Sequence, residues 1–204
     1  MTEATIGSAV MRQEPTILQL AAMDVFADKG LEKTTFEDVA LSAGVSADDI
    51  RSEYKTPKDL FLSLVPLAAS QEFLFASWFL RASDERTIDT LLYEYLESMP
   101  DRCNDVSSMR FLIYAKHCPK KELTASVASE LAAHRERLIG VVEATYKRAE
   151  GTLLPPEVFA EVYLSLADSL EIDLLHDDLY RFSGRLAGIG SFFEIVFDSG
   201  ATQV

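Results

Sequence analysis

Residues 30–60, GLEKTTFEDVALSAGVSADDIRSEYKTPKDL, leave this chain few folds to choose from. They signal two short helices, each opened by a capping residue and separated by a single glycine. Thr35 can accept a bond from the Asp38 amide while the Asp38 carboxylate accepts one from the Thr35 amide, a capping box. The helix so started is expected to run to about Ser42 and to bury Phe36, Val39 and Ala40, the last small enough for another helix to cross closely. Gly44 takes the turn, because a residue without Cβ adopts the left-handed backbone at little cost. Val45 is expected to plug the angle between the helices. Ser46 caps the second helix with Asp49 as box partner, Ile50 and Tyr54 make its buried edge, and the rest of 47–53 faces outward. Thr56, Pro57 and Asp59 then repeat the start signal for a third helix. This is the pattern of a helix-turn-helix, an arrangement suited to reading DNA.

The flanking sequence predicts helix after helix. Ile17, Leu18, Ala21, Ala22, Val25 and Phe26 form one apolar stripe that Gly30 terminates. From Pro57 a long helix carries Leu60, Phe61, Leu64, Val65, Ala68, Phe75 and Phe79, with Pro66 inside it. A proline there removes one backbone hydrogen bond and crowds the preceding turn, which predicts a kink near residues 62–65 at a local cost of roughly 3 kcal/mol. Further helices are expected at about 84–98, 104–117 and 120–149, divided by Pro100 and Pro119. Pro155 and Pro156 open an apolar segment, VFAEVYLSLADSLEIDLL, that should be buried on more than one side. In the last helix Leu179, Phe182, Leu186, Ile189, Phe193 and Val196 recur three and four apart, beside a groove made by Gly184 and Gly188. Such a seam suits either a four-helix dimer interface or an internal core. The expected fold is all-α, with about nine helices.

Taken in order, PTILQLAAMDVFADKG, TTFEDVALSAGVS and YKTPKDLF resemble the TetR family of one-component transcriptional regulators. The motifs cover the first third of the chain; length and helical layout carry the likeness over the rest. The resemblance implies an all-helical homodimer with a loose arm at 1–13, a DNA-binding helix-turn-helix domain at 14–60, and an effector-binding and dimerisation domain at 61–204. It places Thr35, Ser46, Ala47, Asp49, Arg51, Tyr54, Lys55 and Lys58 at the DNA, with Arg12 of the arm a further candidate. It turns the helical seams into a dimer interface of Val158, Val162, Leu166, Leu179, Phe182, Leu186, Ile189 and Phe193.

It also directs attention to the aromatic side chains of the later helices as an effector pocket. Phe73, Phe75, Trp78, Phe79, Tyr93, Phe111, Tyr114 and Tyr163 would suit a small apolar or aromatic effector, although aromatics at helical spacing also build ordinary cores. Asp168 interrupts the apolar run LSLADSL and needs a partner if buried; otherwise it is a rim carboxylate. His117 could touch a ligand or simply end its helix, where a histidine complements the dipole.

The charges depart from the family pattern. A lysine, a glycine or threonine, and aromatics are common where this chain has Ala47, Asp48, Asp49, Arg51 and Glu53. From Phe36 to Leu60 the bases Arg51, Lys55 and Lys58 face six acids, a net of −3, and the whole chain carries −14. A surface that displaces counterions from phosphates is ordinarily basic. Carboxylates in a first helical turn are favoured by the dipole whatever the function, and Asp or Glu can accept from cytosine N4 while Arg51 forks onto guanine. Two classes follow: a ligand-responsive regulator, chiefly a repressor released from a palindromic operator by an effector, or a TetR-like small-molecule binder or protein antagonist of another regulator with weak affinity for DNA.

Other classes find little support. The histidines His117, His134 and His176 fall in no metal-ligand spacing, and no nucleophile elbow or phosphate-cradling glycine loop occurs, so neither an enzyme nor a cofactor is expected. Cys103 and Cys118 read as plain thiols. No uninterrupted apolar run of about 18 residues suggests a membrane span, the first dozen residues lack a secretory pattern, and a cytoplasmic protein is expected.

Overall fold

Thr16 Oγ1 accepts the Gln19 amide at 3.2 Å and Gln19 Oε1 accepts the Thr16 amide at 2.9 Å, so a reciprocal cap opens the first helix, α1 (Ile17–Lys29). The computed structural model describes residues 14–82, 86–118, 123–149 and 152–197. The arm at 1–13, with Arg12, and Pro119 lie outside the described residues. The described chain is all-helical. After α1 come α2 (Phe36–Ala43), α3 (Ala47–Glu53), α4 (Pro57–Leu80), α5 (Ile88–Glu97), α6 (Met99–Asp105), α7 (Ser107–His117), α8 (Ala125–Tyr146), α9 (Pro156–Leu175) and α10 (Leu179–Phe197). The helix beyond the expected nine is α6: Pro100 sits in its first turn, where a missing amide hydrogen costs nothing, so this proline starts a helix as well as dividing two.

By Cα proximity the chain forms two units. One joins the chain up to Glu72 to Asn104–His134; the other joins Phe73–Cys103 to the chain from Arg135 onward. A head ending at residue 60 and a single domain from 61 to 204 would be a contiguous cut, and no contiguous cut reproduces this grouping. Its physical reason is that Phe111, Leu112 and Ala115 of α7 are buried in the core that α1 to α4 build.

In the first unit Phe26, Phe61 and Phe111 pack edge-on or tilted, with Phe61 5.3 Å from Phe26 and 5.1 Å from Phe111 between centroids. Ala22, Met23, Val39, Ile50, Leu60 and Leu64 complete that core. Each large apolar side chain withdrawn from water contributes about 1.5–3 kcal/mol. The predicted stripe of α1 needs one correction: Met23 is buried, while Ile17 is exposed.

Gly44 has φ 68° and ψ 31°, the left-handed turn expected of it. Val45 differs from expectation. It is exposed, and Phe36 and Ile50 fill the space between the helices instead. Ser46 Oγ accepts from the Asp48 amide at 3.2 Å, so Asp49 is not its box partner. Pro66 does not end α4 and lies on its exposed side, where water can serve the carbonyl that proline leaves without a donor. Contrary to the sequence reading, α4 is long and apolar enough to cross a bilayer, but Leu60, Phe61, Leu64, Val65, Ala68, Ala69, Ala76 and Leu80 are buried within the protein.

The second unit is built on α9 and α10, with α5 against α10. Tyr146 stacks on Phe159 at 3.9 Å, and Phe193 lies 6.0 Å from Phe159 and 6.1 Å from Tyr163. The seam of the last helix is therefore a core seam. Phe182, Leu186, Ile189 and Phe193, expected at a dimer interface, are buried within their own chain because this face of α10 packs on α9 and α5.

Candidate functional site

The first candidate surface is the helix-turn-helix. Thr35 Oγ1 accepts from the Asp38 amide at 3.2 Å and the Asp38 carboxylate accepts from the Thr35 amide at 3.1 Å, which fixes the start of α2. Thr35, Ser46, Asp49 and Lys55 are exposed, Ala47 and Lys58 half-buried. Tyr54 packs partly into the core of the first unit.

Arg51 points back onto the protein. One terminal nitrogen donates to Asp48 at 3.0 Å, the other donates to Glu37 on α2, and the guanidinium lies 5.9 Å from the Phe36 ring. The Glu37 carboxyl is held below its usual range, first by its own backbone amide and then by Arg51, while Glu37 and then Asp48 raise the pKa of Arg51. Lys29 donates to Asp38 at 2.6 Å and, with the Thr35 backbone amide, lowers the Asp38 pKa; Arg110 pairs with Asp28. Three bases of this unit are thus spent on its own acids. Leu41 of α2 stands 86% exposed.

The second candidate is a cavity of about 710 Å³ between α5 and α10. Tyr93, Phe193 and Phe197 provide aromatic wall, and Asp89, Glu97 and Glu194 bring carboxylates to it. Glu94, also at the wall, accepts from Arg86 at 2.8 Å. Burial raises the Tyr93 hydroxyl pKa, with the Glu97 charge adding to it. The Tyr93 ring can lie this close to α10 because Gly190 has no Cβ, which would stand 3.2 Å from it.

Among the expected ligand residues, only Tyr93 lines this cavity. Phe75, Phe79 and Trp78 form an aromatic cluster with Tyr95, Trp78 mostly exposed. Arg102 stacks over both Phe75 and Tyr95 at 4.5 Å, and Arg137 lies over Phe73 at 5.7 Å. Phe111 is core of the first unit, where Tyr114 Oη accepts the Leu31 amide at 2.7 Å and His117 is half-buried at the end of α7. Tyr163 is buried and donates to the Leu92 carbonyl at 2.8 Å. Asp168 is half-buried, and Arg135 donates to it at 2.9 Å and to Glu161 at 3.1 Å. Asp89, Glu97 and Glu194 escaped the sequence reading because spacing puts 89, 93 and 97 on one helical face without saying which helix meets it.

On the outer side of α9 and α10, Val158 and Leu179 are exposed and Val162 and Leu166 half-buried. There Gly184 and Gly188 are exposed, as are Tyr180 and Ile195, while Ala187 and Ser191 border the cavity with Tyr93. Among the described residues no group of three or more His, Cys, Asp or Glu is placed to hold a metal ion.

Residues 19–63 match the family described as bacterial regulatory proteins, tetR family. The likeness to the tetR family thus lies in the helix-turn-helix head. Solved structures share its fold over most of its length. The reduced form of NemR from E. coli superimposes with a TM-score of 0.71 at 11% identity, covering 91% of this chain and 98% of that one. NalD from Pseudomonas aeruginosa, the secondary repressor of the MexAB-OprM multidrug efflux pump, gives 0.60 at 20% identity, covering 87% and 94%. FadR from Bacillus subtilis in complex with stearoyl-CoA gives 0.63 at 14% identity, covering 90% and 97%. No curated protein matches the chain. The tetR-family match falls on the helix-turn-helix, the part of the sequence where caps, turn and buried edge constrain one another most tightly.

Proposed function

We propose that this protein is a cytoplasmic, ligand-responsive transcriptional regulator without catalytic activity. In this reading it is a homodimer that represses by holding a palindromic operator and lets go when an effector occupies the second unit. The observation that carries it is the intact helix-turn-helix at 19–63, with the outward face of α3 open to solvent. Thr35, Ser46, Ala47, Asp49, Arg51, Tyr54, Lys55 and Lys58 are its DNA-contact set. Dimerisation uses the exposed strip of α10 with Val158, Val162, Leu166 and Leu179. In this reading 14–60 contacts DNA and the chain from 61 to 204 serves effector and dimer, with α7 of that stretch also packing into the core of the head.

NalD, repressor of a multidrug efflux pump, and FadR, which binds a fatty acyl thioester, support an effector with a substantial apolar part. The carboxylates around the Tyr93 cavity favour one that is aromatic and positively charged over an anionic acyl compound. Selection of bound fragments from sheared genomic DNA at low salt tests the DNA half. The expected result is a palindrome whose affinity falls with salt; no enrichment, with or without cell metabolites, would defeat it. Aromatic amines are expected to raise the melting temperature and long-chain carboxylic acids to leave it unchanged.

A second reading has its own support. The internal pairing of Arg51, the net negative charge of the head and the exposed Leu41 suit a basic protein partner, which would make the chain an antagonist of another regulator.

A further inference from the structure

We propose that Glu37 is a built-in competitor for Arg51, so that operator binding requires the protein first to surrender an internal ion pair. This rests on the DNA-reading function above and adds a residue that sets its strength. Arg51 is the base within α3, the helix whose outward face would enter the groove. Its fork is engaged on both terminal nitrogens, by Glu37 across the turn and by Asp48 one turn back, and the ring of Phe36 lies beneath it. Glu37 lies in the first turn of α2, next to the buried Phe36 whose ring the guanidinium faces, so it competes from a fixed helical position.

For Arg51 to reach guanine or a phosphate, the Glu37 contact must break and the carboxylate must be left beside a polyanion. The strength of the contact is modest, because both side chains are solvent-exposed. It therefore weakens DNA binding without abolishing it. Salt screens the internal pair as well as the DNA contact, so the protein's salt dependence is shallower than its count of bases on the head implies.

The test compares wild type, Glu37→Gln, Arg51→Ala and the double variant. Each is titrated with bulk sheared genomic duplex and with the best fragment that duplex yields, across a range of salt. The expected result is that Glu37→Gln binds about twofold to fivefold tighter at low salt and converges with wild type at high salt. The gain should vanish when Arg51 is alanine. A gain of equal size in the Arg51→Ala background means that Glu37 merely repels DNA, which overturns the proposal. Unchanged affinity in Glu37→Gln, with a palindrome recovered, overturns it while the regulator reading stands. No binding by wild type and by Glu37→Gln defeats both. Independently of DNA, the carboxyl titration of Glu37 followed by NMR should move up in Arg51→Ala; no movement removes the ion pair on which the idea stands.

Discussion

Gly30 carries a backbone with φ 81° and ψ 160°, a region that side chains with a Cβ scarcely enter. A Cβ there would also stand 3.1 Å from Tyr114 Oη, the atom that accepts the Leu31 amide. Gly30→Ala is therefore expected to cost about 1–3 kcal/mol in a urea unfolding experiment, from strain before any loss of contact. Tyr114→Phe, which keeps the ring and strands a part-buried amide, should cost about 1–3 kcal/mol by the same assay. Acid acts on Asp38. Lys29 and the Thr35 amide hold its folded-state pKa below its ordinary value of 3.8, so their stabilisation is fully present above that value and is lost as pH falls through the lower folded value. Thermal unfolding between neutral pH and strong acid should show a drop in that window that is smaller in Asp38→Asn. An equal drop in both would place the acid sensitivity elsewhere. The capping chemistry of Thr35 and Asp38 was legible in the sequence because it is local; the Lys29 partner, nine residues away, was not.

Among the elements, α4 holds the clearest conflict between local rule and tertiary outcome. Its proline costs the helix a hydrogen bond, yet the helix continues for 24 residues because its buried side chains outweigh that loss. Pro66→Ala restores the donor and should raise the urea midpoint, by up to about 3 kcal/mol of stability if the site relaxes fully. If α4 bends at this proline to pass the effector signal, the same variant should hold the operator when effector is added. Release as in wild type would remove Pro66 from the mechanism. The last helix teaches the reverse lesson. Three-and-four spacing of Phe182, Leu186, Ile189 and Phe193 correctly announced a buried face, but spacing is blind to whether the burying surface is the same chain or a second one.

For the whole molecule the matter is charge and assembly. A net of −14 per chain doubles in a dimer, so long-range repulsion should make association with DNA slow at low salt unless the local contact set compensates. Dimerisation through the outer strip of α10 is open to a clean test. A Cβ at Gly188 has no neighbour within 4 Å, so Gly188→Arg should fold with an unchanged circular dichroism spectrum yet sediment as a monomer. A dimer that survives this change is built on another face. The sequence by itself determined the all-helical class, the capped helices of the head, the glycine turn and the acidity of α3, because capping, left-handed turns and helical periodicity act within a few residues of one another. Tertiary structure alone decided that α7 belongs to the core of the head, that Arg51 is held by Glu37, and that the cavity is walled by Tyr93 and carboxylates in place of the Phe75 cluster. Each of those outcomes depends on which helix lies against which, and side-chain spacing along one helix carries no record of its neighbour.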